Sequence, residues 1–353
     1  NIENLLKETR SKDTADSVKK SLMNRAVVID GQYNKTHSHK IYSFEKINKI
    51  GEDLLAQGDA SFSEIAKSSQ PDDLTTIIYT SGTTSDPKGV MLTNSNFMHN
   101  AINAPIAITI NKNDNFLSVL PSWHVYERSI EYCALQVGAS IAYSKPFKQV
   151  LLPDLKEEKP SVMCSVPRIW ESVYKGIIDN VKKGSSLQKT IFNWAIKIGE
   201  EYKEAEGILN GTWPLFDRAE YTTEELAQAK RTVKRLGLKY RLANKIVFKK
   251  VRELTGGRFR FAICGGGALN ESIDKFFNTI GLIITEGYGL TETSPILAGR
   301  TKKDNIMFTV GPPIPEVEIK IVDKDDYNKE LPNGEVGVIL TKGPMVMKGY
   351  YKN

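Results

Sequence analysis

The spacing of apolar positions changes along the chain, and each spacing predicts an element. Thr75-Thr76-Ile77-Ile78-Tyr79 is β-branched and aromatic and predicts a strand, as do Phe116–Leu120 and Ser140–Tyr143. Between the last two, residues 125–137 are amphipathic and end at Gly138, the pattern of a helix with a glycine stop. Ser161–Ser165 is another apolar run, and Pro167 after it opens a helix that reaches Lys183. Residues 184–257 read as a mostly helical insertion, within which Thr222-Thr223-Glu224-Glu225 has the form of a capping box. Phe259–Cys264 and Leu282–Thr285 are further strands, flanking a helix from Asn270 to a Gly281 stop. Strands alternating with helices predict an α/β fold of layered, doubly wound, mostly parallel sheets. Beyond Gly311 two strands, Val317–Val322 and Val336–Leu340, flank Pro332-Asn333-Gly334 and predict a small antiparallel β subdomain. The expected organisation is a layered α/β part over 1–310 and a β subdomain over 311–353. Residues 1–70 mix helical, polar and turn signals around Ala26-Val27-Val28-Ile29.

Composition narrows the class. With 353 residues, 40% of them hydrophobic and 25% charged, the chain has the profile of a globular protein with a sizeable core. Its three cysteines form no CxxC pair, which excludes a disulfide scaffold and a zinc ribbon. No apolar run approaches the ~18 residues of a membrane span. No signal peptide opens the chain, and a reducing, cytosolic setting is expected. The chain starts at Asn1 and stops just after Gly349-Tyr350-Tyr351, so it reads as a fragment.

The net charge of +6 is unevenly spread. Lys230 to Arg260 holds twelve Lys or Arg against Glu253 alone, which is +11 and leaves −5 for the rest. Its apolar positions fall near helical spacing, so the stretch reads as basic amphipathic helices. Two readings stand: a solvated face, or a patch for anionic lipid or a phosphorylated partner. Nucleic acid is disfavoured because no aromatic platform is interleaved.

The sharpest chemistry lies in Thr80–Gly89, TSGTTSDPKG. Hydroxyls, a flexible glycine and one lysine suit a triphosphate, whereas Pro87 before Lys88 excludes a Walker A loop. A strand at Gly89–Thr93 follows instead of a helix. Two more loops follow predicted strands: Gly265-Gly266-Gly267-Ala268-Leu269 and Glu286-Gly287-Tyr288-Gly289-Leu290-Thr291-Glu292-Thr293. Parallel strands would open both on the carboxyl edge, where ligands bind in such sheets. The glycines let a base or acyl group lie on bare backbone. Tyr288 offers a flat face, Thr291 a hydroxyl and Glu292 a hard oxygen for Mg2+. His124, in PSWHVYER, sits between a strand and a helix. His37 and His39 have no partner motif and read as surface residues.

Together, TSGTTSDPKG, PSWHVYER, GGGAL and EGYGLTETSP resemble, in order and spacing, the adenylate-forming acyl-activating enzymes, most of all the long-chain fatty acyl-CoA synthetases. The likeness covers nearly the whole chain. It implies attack of a carboxylate on ATP, release of pyrophosphate, and transfer of the acyl group to coenzyme A. It implies that Thr80, Ser81, Gly82, Thr83, Thr84, Lys88 and Gly89 form the phosphate loop. Gly265, Gly266, Gly267 and Ala268 would line the adenine and acyl sites. Tyr288 would stack on adenine, with Gly289 beside it. Thr291 would meet the α-phosphate, Glu292 and Thr84 would hold Mg2+, and His124 would sit at the reacting carboxylate. Lys88, His124, Thr291 and Glu292 are the catalytic candidates.

The expected partners are a long-chain fatty acid and coenzyme A or acyl carrier protein. The expected place is cytoplasmic, peripheral at the membrane face through residues 230–260. Ser85 departs from the family pattern, which has a glycine there. The ribose-gripping aspartate, the C-terminal lid domain with its lysine and the first part of the N-terminal domain are expected to lie outside this chain. An aryl-acid ligase or a non-catalytic nucleotide- or lipid-binding module are the alternatives. An amino-acid-activating enzyme is set aside, because PSWHVYER has no aspartate to pair a buried ammonium.

Overall fold

The computed structural model describes residues 26–28, 41–80, 86–216 and 218–352. Within it the chain forms two compact units, Asn1–Gln70 and Pro71–Asn353. In the first, strand β1 (Ala26–Val28) pairs in parallel with β2 (Ile41–Ser43), followed by helices α1 (Phe44–Ala56) and α2 (Ser61–Ser68). His37 and His39 lie outside the described residues.

The second unit opens with an antiparallel pair, β3 (Leu74–Thr80) and β4 (Lys88–Thr93). Both strands are predicted from the sequence, at Thr75–Tyr79 and Gly89–Thr93, and they form a sheet apart from the parallel one. Only seven residues, 81–87, separate the two strands, too few for a parallel crossover, which needs about a dozen or more. Helix α3 (Asn94–Ile108) follows, capped by a Thr93–Asn96 box, and leads into β5 (Asn115–Ser118). Next come α4 (Val125–Val137), β6 (Ser140–Tyr143), α5 (Lys148–Glu158), β7 (Val162–Ser165) and α6 (Pro167–Lys183). Gly138 ends α4 in the left-handed region at φ 70°, as its sequence position predicts.

Residues 184–257 are mostly helical. α7 (Ser186–Asn210) is followed by α8 (Thr223–Ala243), which runs through a π turn at Asn244–Phe248 into α9 (Lys249–Glu253). Thr222 Oγ1 accepts from Glu225 N at 3.2 Å and Glu225 Oε2 accepts from Thr222 N at 2.8 Å, completing the capping box. The layered part closes with β8 (Phe261–Cys264), α10 (Glu271–Thr279), β9 (Ile284–Tyr288) and β10 (Ala298–Gly299). Then come the hairpin β11 (Glu318–Val322) and β12 (Val338–Lys342), and β13 (Gly349–Tyr350).

The central sheet has six strands in the order β10-β9-β8-β7-β5-β6, parallel except for the β10 edge. Alternation decides its faces. Phe116, Val162, Cys164, Phe261 and Ile263 pack with Tyr126, Ile130 and Ala134 of α4. Their neighbours Leu117, Met163, Ala262 and Cys264 pack on the opposite face with α6, α7 and α10. There Trp170 is fully buried, donates Nε1–H to Ser165 Oγ at 2.7 Å and meets Phe277 edge-on at 5.0 Å. With helices on both faces of a mostly parallel sheet and a small antiparallel pair beyond, the fold class is the predicted one. β11 and β12 pair antiparallel with Val322 opposite Val338. β13 joins β4 antiparallel, making a separate three-stranded sheet.

Candidate active site

Because β8 and β9 are parallel and adjacent, the loops that follow them leave the same edge of the sheet. A cavity of about 580 Å³ opens there. Its lining includes Thr80, His124, Gly265, Gly266, Tyr288, Gly289, Thr291 and Glu292. It also includes apolar side chains, Ala104, Ala107 and Ile108 of α3, Ile130 of α4, and Ile296, together with Glu286 and Arg300. Of the predicted site residues, Gly267, Ala268, Lys88 and Gly89 stand outside this lining. Ser81, Gly82, Thr83 and Thr84 lie outside the described residues.

Tyr288 differs from its predicted loop position. Strand β9 continues through Glu286-Gly287-Tyr288, with Glu286 opposite Cys264 and Tyr288 opposite Ala298. The β10 ladder on one side fixes the Tyr288 backbone more firmly than a loop would. Two glycines are set by close approach. A Cβ on Gly265 would come within 3.0 Å of the Tyr126 ring, and one on Gly289 within 1.5 Å of Pro295 O. Both positions need bare backbone.

His124 caps α4 by accepting the Tyr126 N–H at Nδ1, 3.2 Å away. That bond places the imidazole proton on Nε2. Partial burial also pulls the His124 pKa below 6.5, so the ring is neutral at pH 7. Glu292 lines the same cavity. Its Oε1 accepts from Tyr350 Oη at 2.8 Å, and Lys88 Nζ lies 5.1 Å above the Tyr350 ring. Thus β13 and β4 bring Lys88, Tyr350 and Glu292 into one cluster. Tyr350 was not among the residues predicted from sequence.

Two buried polar systems hold these loops, and sequence reading had singled out neither. Asn100 of α3 donates to Ser294 O at 2.6 Å, and Ser129 Oγ donates to the same oxygen at 2.8 Å. Asn96 donates to Pro344 O and Val346 O at 2.7 and 2.9 Å, which ties the approach to β13 onto α3. A signal existed: Asn96, Asn100 and Asn103 recur at helical spacing. The second system is Arg300, fully buried, 2.8 Å from Asp274 Oδ2 and 3.6 Å from Glu286 Oε2. Glu286 Oε1 also accepts from Leu269 N at 2.9 Å, which joins the GGGAL loop to β9. Burial raises the pKa of both Asp274 and Glu286, and Arg300 opposes that rise.

A family model described as AMP-binding enzyme matches residues 5–351. The chain belongs to that family. AMP-binding enzymes are adenylate-forming ligases, and the central sheet described above is their fold. In Arabidopsis thaliana the chain is 36% identical over 323 residues to probable acyl-activating enzyme 16, chloroplastic. It is 37% identical over 323 residues to the long-chain-fatty-acid–[acyl-carrier-protein] ligase AEE15, chloroplastic, of the same plant. Each alignment covers 89% of this chain and 44% of the relative. Long chain acyl-CoA synthetase 6, peroxisomal, also from that plant, is 33% identical over 80% of the chain and 37% of its own length. The chain therefore spans less than half the length of these relatives. Among solved structures, a long-chain-fatty-acid-CoA ligase (FadD1) from Archaeoglobus fulgidus superposes with TM-score 0.55 at 18% identity. That superposition covers 97% of this chain and 58% of the other.

Among the described residues no group of three or more His, Cys, Asp or Glu could hold a metal alone. The single carboxylate of Glu292 still fits Mg2+, which takes one or two carboxylates and completes its shell with water and substrate phosphates. Tyr350 occupies Oε1, and Oε2 has no protein hydrogen bond among the described residues.

Proposed function

We propose that this chain carries the nucleotide and acyl sites of an AMP-forming ligase that activates a long-chain fatty acid with ATP and passes it to coenzyme A. The observation that carries the reading is a single cavity lined both by glycines and polar groups of the loops after β8 and β9 and by apolar side chains of α3 and α4. Such a lining suits a molecule with an anionic head and a hydrocarbon body. Residues 1–310 are then the layered part of the adenylating domain, and 311–353 its β subdomain.

In this reading two anions, a carboxylate and the α-phosphate, must approach each other. Lys88 and the phosphate loop Thr80–Thr84 hold the outer phosphates, and Thr291 meets the α-phosphate. Bare backbone at Gly265 and Gly266 admits adenine, with Gly267 and Ala268 completing the loop behind it, and Tyr288 and Gly289 cover it. Glu292, with Thr84, would hold Mg2+, which neutralises phosphate charge when bound. Neutral His124 donates its Nε2–H to the acid and adds no competing cation. Catalysis is then positioning and charge stabilisation, with no covalent work by side chains.

A second acceptor, acyl carrier protein, is favoured by one observation, the 37% identity to a ligase named for that carrier. The setting we propose is cytoplasmic. The test is acid-dependent exchange of labelled pyrophosphate into ATP by the full-length protein, over acids from acetate to palmitate and an aryl acid. Long-chain acids should give the fastest exchange, and Glu292→Ala should lower it by about 100-fold or more. Exchange peaking on another acid overturns the substrate. Undiminished exchange in Glu292→Ala overturns the metal role.

A further inference from the structure

The continuous helix formed by α8, the π turn and α9 runs from Thr223 to Glu253, roughly 45 Å at about 1.5 Å per residue. Its inner face is settled: Leu236, Ala243, Val247 and Val251 are each at most 8% exposed. Its outer face departs from a plain solvated one. Leu238, Leu242 and Ile246, four residues apart, are 78%, 51% and 37% exposed. They form a single apolar stripe. Beside it, at three- and four-residue steps, stand Lys234, Arg241, Lys245 and Lys249, all exposed. None of these four cations has an ion pair or side-chain hydrogen bond among the described residues. Arg235 is paired with Glu201 of α7, which places one acid near the stripe.

A second exposed stripe makes the contrast. Met98, Ile102 and Ile106 of α3 are 46%, 45% and 67% exposed, yet Asn94–Ile108 contains no Lys, Arg, Asp or Glu. Of the two, the α8–α9 stripe alone is framed by unpaired cations.

We infer that this helix face lies on an anionic lipid surface, with Leu238, Leu242 and Ile246 entering the headgroup layer and the four cations meeting lipid phosphates. Exposed leucines favour a bilayer over an acidic protein, whose charge the lysines alone would satisfy. No helix among the described residues is long and apolar enough to cross a membrane, so the contact is interfacial.

The test is cosedimentation of the protein with phosphatidylcholine vesicles and with mixed phosphatidylcholine–phosphatidylglycerol vesicles. Binding should appear on the mixed vesicles only. Leu238→Ser with Leu242→Ser should weaken it about tenfold or more. Lys245→Gln with Lys249→Gln should weaken it about 25-fold, at about fivefold per cation. Circular dichroism and urea midpoints matching the unsubstituted protein show that the variants fold. Unchanged binding in either pair, equal binding to uncharged vesicles, or capture of an acidic carrier protein without vesicle binding overturns the inference. Vesicle binding needs no turnover, so this result is independent of the ligase reading.

Discussion

Glu127 offers the most direct test of the electrostatics around the site. It lies in the first turn of α4, three residues beyond His124, and is 1% exposed. Its Oε2 has no hydrogen-bond partner, and burial pushes its pKa up to about 7 from 4.5. A carboxyl whose folded pKa is raised binds its proton more tightly in the native state than in the unfolded chain. Its contribution to stability is therefore greatest below pH 4.5 and declines as pH rises towards 7. Between about pH 5 and about pH 8 that decline amounts to about 2.5 kcal/mol, since each pH step between the two pKa values costs about 1.4 kcal/mol. Glu127→Gln keeps the shape and removes the titration. Urea unfolding across this pH range should show the variant gaining about 2.5 kcal/mol on the unsubstituted protein as pH rises. The other titrating groups are common to both proteins and cancel in the difference. Parallel stability curves would refute the argument, because they would mean that Glu127 ionises as an exposed glutamate does.

Three further outcomes are expected. Arg300→Met leaves Asp274 and Glu286 buried without their cation and should cost about 3–5 kcal/mol in urea unfolding, more at alkaline than at acid pH; a loss below about 1 kcal/mol would show that the two carboxyls do not depend on it. Gly289→Ala drives a Cβ onto Pro295 O, so the loop before β10 must open, and both pyrophosphate exchange and about 3 kcal/mol of stability should be lost; intact exchange would sink this. Cys133, Cys164 and Cys264 are buried, with burial raising the thiols of Cys133 and Cys264 to about 12 and that of Cys164 well upwards. Iodoacetamide near pH 8 should therefore label the native protein only as fast as it unfolds, and rapid native labelling would contradict the burial.

What could be read from sequence was what neighbouring residues decide. The Thr222–Glu225 cap, the Gly138 stop and the apolar runs of β7 and β8 depend on local chemistry and appear where expected. The same holds for the gathering of His124, Gly265 and Glu292 at one edge, which follows from parallel strands once helices separate them. Residues whose roles depend on distant partners were not legible. Asn96 and Asn100 resemble exposed helix amides until residues 344–346 and Ser294 bury them. Arg300 looks like any surface arginine, because nothing nearby in sequence shows that Asp274 and Glu286 enclose it. The pairing of β3 with β4 could have been inferred from the seven residues between them, too few for a parallel crossover. That of β13 with β4 could not, since two residues carry no periodicity.

The bond from Asn96 to Pro344 O spans 248 positions, and β13 completes the sheet begun by β4 from the same far segment. A ribosome adding about 5–20 residues per second needs on the order of 10–50 s to travel that distance. Throughout that interval the nascent β4 keeps one unpaired rim, and the amides of α3 have only water to satisfy them. Vectorial synthesis therefore makes the front half of the Pro71–Asn353 unit wait for the back, and this is where a chaperone would find the newborn chain open.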